Sequence, residues 1–126
     1  MSAAQTHVLF VDDDLLLRDV VAEALELAGF QVTVASGGAE ALRVLQGDRP
    51  VDVIFSDVVM PNGVSGVELA QQAAVLRPGI RVVLASGHPR SQLPPFPENV
   101  AFIAKPYRVA ELVDKIVQLG GEAERA

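Results

Sequence analysis

Five residues with chemically useful side chains stand just past runs of apolar residues: Asp12 and Asp13 after one run, Asp57 after another, Ser86 and Lys105 after two more. A carboxylate can act as a nucleophile, and its attack on phosphorus yields an acyl phosphate. Three carboxylates drawn together would repel one another, and a hard divalent cation that prefers oxygen holds such a group ionised; magnesium fits that demand best. Phosphoryl transfer needs mostly positioning and charge neutralisation. Lys105 offers a compact cation for phosphoryl oxygens, and Ser86 a hydroxyl donor that can move toward them.

The elements that would bring these residues together are legible as hydrophobic pattern. Runs rich in branched aliphatics at 8–11, 51–55, 80–85 and 100–104 predict buried strands, and the more alternating stretch 31–35 predicts a fifth. Within 14–28, Leu17, Val20, Val21, Ala24, Leu25 and Ala28 recur at the spacing of one helix face, with Gly29 as the stop. Further helices are expected at 39–45, 67–76 and 109–119, ended by Gly47 and Pro50, by Pro78 and Gly79, and by Gly120 and Gly121.

Strands alternating with helices predict right-handed crossovers and a doubly wound α/β domain with an open parallel sheet. The carboxyl ends of its strands share one edge, where ligands bind at the point of reversed strand order. One domain over 7–119 is expected, with short tails at 1–6 and 120–126. Pro89, Pro94, Pro95 and Pro97 cannot sit inside a regular helix, so that interval breaks the alternation.

Composition narrows the function. The chain has 126 residues, a usual single-domain size. Half are apolar, yet no run approaches the roughly 20 that span a membrane. Residues 1–7 carry no basic cluster ahead of an apolar stretch, so no export signal is read. With no cysteine there is no disulfide, thiolate zinc site or thiol nucleophile, which suits the cytoplasm. A net charge of -6 disfavours direct binding to nucleic acid.

Each candidate also has a plain explanation when taken singly. An Asp after a strand often only caps a helix, and that is the role expected for Asp14. Ser86 could be a turn serine, Lys105 a solvated charge, Phe102 a core aromatic and His88 a loop histidine. Asp12, Asp13, Asp57 and Lys105 meeting at one edge would be hard to explain that way.

The motifs Val-Leu-Phe-Val-Asp-Asp-Asp at 8–14, Ser-Asp-Val-Val-Met-Pro at 56–61, Ala-Ser-Gly at 85–87 and Lys-Pro at 105–106 resemble those of two-component response-regulator receiver domains. The likeness runs from His7 to about Leu119. Together with Ser-Gly-Val-Glu-Leu at 65–69, Ala-Ser-Gly-His and Lys-Pro-Tyr-Arg, the wording is most similar to receivers of hybrid histidine kinases, and the chain could equally stand alone.

The resemblance implies a flavodoxin-like five-stranded sheet of order 2-1-3-4-5, a fold type for which a chemotaxis receiver is a stock example. It implies Asp57 as phosphoacceptor, Asp13 and Asp57 as direct Mg²⁺ ligands, Asp12 acting mainly through water, and Val59 contributing a backbone carbonyl. Ser86 and Lys105 become the phosphoryl partners, Phe102 a switch aromatic that turns inward as Ser86 moves, and Lys105–Pro106 a candidate cis bond. His88 occupies a position that tunes acyl-phosphate hydrolysis. The expected partners are a sensor or hybrid histidine kinase or a phosphotransfer protein, and a downstream protein reached by contact, since no output segment follows residue 119.

Receivers usually carry a helix between the Ser86 and Lys105 positions. The prolines here predict that it is absent or cut to about one turn, which puts the familiar dimerisation and output face in doubt. Two other readings compete. Asp12 and Asp14 have the spacing of haloacid dehalogenase-type phosphatases, although that class wants Thr or Val where Leu16 stands. The other is a degenerate receiver that only binds protein.

Overall fold

The structure is a computed structural model that describes residues 6–60 and 63–125, with side chains described through Leu119. Pro61 of the second motif, and the expected amino-terminal tail apart from Thr6, lie outside the described residues.

Among the described residues five strands and four α-helices alternate except between β4 and β5: β1 His7–Val11, α1 Leu15–Leu27, β2 Gln31–Ala35, α2 Gly38–Gln46, β3 Val53–Asp57, α3 Gly66–Leu76, β4 Arg81–Ser86, β5 Val100–Ala104 and α4 Val109–Arg125. All pairings are parallel and the order is β2-β1-β3-β4-β5, as the resemblance implied. The first crossover goes to one side of β1 and later ones to the other, so the order reverses between β1 and β3.

Strand periodicity divides the core in two. Leu9, Val11, Ile54, Val82 and Leu84 face α2 and α3, whereas Val8, Phe10, Phe55, Val83 and Ile103 face α1 and α4. Phe10 and Phe55 stack at 5.2 Å between ring centroids.

Helix ends follow local chemistry. Asp14 caps α1, its side chain accepting from the Leu17 N–H at 3.2 Å. Gly29, with φ 105°, reverses the chain after α1, and the Phe30 and Gly29 amides donate to the Leu25 and Glu26 carbonyls. Ser65 and Glu68 form a capping box at the start of α3. At the far end of α3, Arg77 reaches across to α2 and donates to the carbonyls of Leu45, Gly47 and Arg49 at 2.9–3.0 Å.

Two elements depart from the sequence pattern by more than one residue. β3 begins at Val53 and keeps the polar Ser56 and Asp57, two residues later than the apolar run suggests. The reason is pairing: Val8 is opposite Val53, and Asp52 exchanges hydrogen bonds with the His7 backbone just before the strand. α4 continues through Gly120 and Gly121 to Arg125, where a tail was expected. Glycine weakens a helix by about 1 kcal/mol but removes no donor, and the strong helix formers Glu122, Ala123 and Glu124 follow.

Between β4 and β5 only a single 3₁₀ turn remains, Arg90–Gln92. Leu93 and Phe96 of this proline-rich segment pack against the core cluster shared by α2 and α3.

Candidate functional site

Register puts the candidate residues at one level. Val11 is opposite Ser56, Asp57 opposite Ala85, and Ser86 opposite Ala104, so Asp12, Asp57, Ser86 and Lys105 all fall at the carboxyl edge around the reversal between β1 and β3.

Asp57 is half-buried, and its Oδ1 lies 2.7 Å from Lys105 Nζ. Asp12 is buried at 6% exposure, and its Oδ1 accepts from the Asp14 N–H at 2.8 Å. Burial raises the Asp12 carboxyl above its ordinary pKa; the Asp14 amide opposes the rise, the charges of Asp57 and Asp13 add to it, and Lys105 lowers it. Asp13 is exposed beside it. This crowding of negative charge is what a cation would relieve.

Among the described residues no three acidic or histidine side chains sit together as a ready-made metal cage. The implied magnesium set needs none, since it draws on two carboxylates, one carbonyl and water, and Mg²⁺ keeps several waters in protein sites. The oxygen donors at this edge therefore fit that ion.

Ser86 is buried, and its Oγ accepts from the His88 N–H at 3.0 Å, while its carbonyl accepts from the Lys105 N–H at 2.8 Å. The Lys105–Pro106 bond is cis. Val59 is 68% exposed on the segment after Asp57, and the imidazole of His88 is exposed. Phe102 is partly buried and meets Phe96 at 6.1 Å between centroids. Asp14 is not part of this group; it caps α1.

Sequence reasoning missed two residues here. Tyr107 packs edge-on against Phe55 at 5.5 Å, and its phenol is pushed up to about 12 by burial first and then by the charges of Asp57 and Asp12. Its place directly after Lys105 and Pro106 was the available signal. Gly66 lies against the back of Asp57: a Cβ there would sit 2.2 Å from the Asp57 carbonyl oxygen, and the Gly66 amide donates to the Val58 carbonyl at 2.7 Å. Its place next to the capping serine hints at a special position, but the close approach itself is not visible in sequence.

The family model for the response regulator receiver domain matches residues 8–117. The chain belongs to this family, the phosphorylation-dependent signalling switches of two-component systems. It is similar to the response regulator receiver protein CpdR of Brucella abortus, 31% identical over 116 residues that cover 90% of this chain and 95% of that one. Other curated relatives are longer, and the chain spans 26% of one of them. In structure it resembles the receiver domain of the hybrid histidine kinase CckA, with TM-score 0.76, 30% identity and coverage of 90% and 97% of the two chains. It also resembles the response regulator TrrA of Thermotoga maritima in complex with Mg²⁺-BeF, with TM-score 0.78, 27% identity and coverage of 91% and 99%. Among the described residues no helix is long and apolar enough to cross a membrane.

Proposed function

We propose that Asp57 accepts a phosphoryl group from a phosphohistidine of a sensor or hybrid kinase or of a phosphotransfer protein. An Asp57 oxygen forms the new bond to phosphorus as the phosphorus–nitrogen bond breaks and the electron pair stays on the donor imidazole. The observation that carries this reading is the 2.7 Å ion pair between Lys105 and Asp57 beside the buried Asp12. The ammonium neutralises the nucleophile before attack and is within reach of phosphoryl oxygens afterwards. Asp13, Asp57 and the Val59 carbonyl would hold Mg²⁺, with Asp12 acting through water; the ion would supply charge neutralisation at the phosphoryl oxygens. Ser86 would donate to one of those oxygens, and Phe102 would follow its movement.

On α1, Leu16 is 80% exposed and Val20 64%, one turn apart. An apolar stripe beside the acidic edge supports docking of a helical, histidine-bearing partner there. The net charge of -6 supports an output through protein contact rather than nucleic acid. We assign the receiver to the stretch from residue 7 to the end of α4 at Arg125, past the expected boundary at 119, and a chain without cysteine suits the cytoplasm. The use of the Asp14 side chain as a cap argues against the dehalogenase-type reading.

The test is incubation with Mg²⁺ and a small phosphodonor, followed by intact mass. A phosphoryl adduct that disappears in Asp57→Asn is the expected result. Donor turnover that survives Asp57→Asn and is lost in Asp12→Asn would instead mark a phosphatase, and no adduct at all would leave a binding module.

A further inference from the structure

The segment joining β4 to β5 is fastened at both ends to residues that the proposed function places in the switch, Ser86 and Phe102. At its start the His88 N–H is bonded to Ser86 Oγ at 3.0 Å. At its finish the Phe96 ring meets Phe102 at 6.1 Å, tilted by 41°. Between them Arg90 holds the segment together, its guanidinium carbon 3.7 Å from the Phe96 ring centroid and its Nη1 donating to the Pro94 carbonyl at 3.2 Å.

No regular helix supports this segment; up to residue 98 its backbone hydrogen bonds are local, Gln92 to Pro89 and Leu93 to Arg90, and at Asn99 it is tied to its neighbours, the Asn99 carbonyl accepting from the Val82 N–H at 2.9 Å and its Nδ2 donating to the Ala70 and Ile80 carbonyls. Prolines keep it stiff, so it moves as a piece rather than fraying residue by residue. Beside it lies a hollow of about 360 Å³ lined by residues that include Val58, Val59, His88 and Leu93, which leaves it room to shift.

We infer that residues 88–99 form a strap latched by Arg90 through Phe96, and that a phosphoryl group on Asp57 unlatches it through Ser86 and Phe102. A rotation of Ser86 toward the phosphoryl group takes the acceptor away from the His88 amide. Inward rotation of Phe102 takes away the ring on which Phe96 rests. The cation–π contact of Arg90 then holds a ring whose remaining support is the core cluster of α2 and α3. The strap replaces the usual helix as the element that reads the switch. This inference rests on the phosphoacceptor reading.

Amide hydrogen exchange on the full chain tests it, with Mg²⁺ and beryllofluoride as the phosphoryl mimic and ¹⁹F spectra to report adduct formation. Without the mimic, Arg90→Ala speeds exchange at Gln92 and Leu93 by about fivefold, the factor that corresponds to losing a cation–π contact of about 1 kcal/mol. Arg90→Lys, which keeps a cation over the ring, recovers part of the protection, while amides of β1 and β3 stay at wild-type rates in both variants. With the mimic bound, the wild type speeds at the same amides, and Arg90→Ala gains no more. Unchanged exchange at Gln92 and Leu93 in Arg90→Ala overturns the latch. An adduct that forms without disturbing 88–99 overturns the coupling. No adduct in the wild type defeats the phosphoacceptor reading and the inference with it, even where the Arg90 arm behaves as expected.

Discussion

Lys105 Nζ and Asp57 Oδ1 meet at 2.7 Å although the residues lie on β3 and just beyond β5, with β4 between them. The pair is 36% and 27% exposed, so its contribution to stability is small, within about 1 kcal/mol. On the proposed function its weight falls on chemistry. Lys105→Ala should slow phosphoryl transfer to Asp57 by about 10²-fold, the usual effect of removing one group that meets developing charge. The urea midpoint should move little. A large loss of stability at an unchanged rate would reverse that assignment.

Asp12 behaves oppositely to a salt-bridged acid. Its pKa is raised in the fold, chiefly by burial, so the native state binds more protons than the unfolded chain between the ordinary and the raised value. Stability therefore falls as pH rises through that window, and the cost is fully present at neutral pH. Asp12→Asn keeps an acceptor for the Asp14 amide and should stabilise the protein at pH 7. The gain should vanish below the ordinary carboxylate range, as urea melts at the two pH values would show. The same variant should lose affinity in a Mg²⁺ titration.

Gly66→Ala should be severe, costing about 3 kcal/mol as overpacking, because the added carbon meets the backbone oxygen of Asp57 rather than a side chain that can move. Gly37→Ala is the control: the same addition there meets nothing within 4 Å. Comparable denaturation midpoints for the two variants would contradict this account.

His88 touches Ser86 through its backbone, so His88→Ala leaves that bond in place and tests the imidazole alone. If the ring screens water at the mouth of the site, the acyl phosphate on Asp57 should hydrolyse about threefold faster in the variant, well under one tenfold step in barrier terms. An unchanged lifetime in pure protein would remove His88 from the site.

Much of this arrangement is legible in sequence because strand ends obey a simple rule. Apolar runs mark the strands, and the polar residues that end them must share an edge once the sheet is parallel, which is how Asp12, Asp57, Ser86 and Lys105 could be grouped. The prolines at 89, 94, 95 and 97 made the missing helix readable for the same local reason. The start of β3 was not readable, since pairing with β1, rather than hydrophobicity, sets it. Nor were Tyr107, Gly66 and the grip of Arg90 on Phe96, each of which depends on how close two segments come in space.

The bonds from Arg77 to three carbonyls around the end of α2 lie at the sheet edge opposite the carboxylates. They stitch the return from α2 into β3 onto α3 and make residues 45–49 a poor place for a tag, a graft or a new terminus. A reporter inserted there would unpick the scaffold itself, so probes meant to follow signalling belong at the other rim of the molecule.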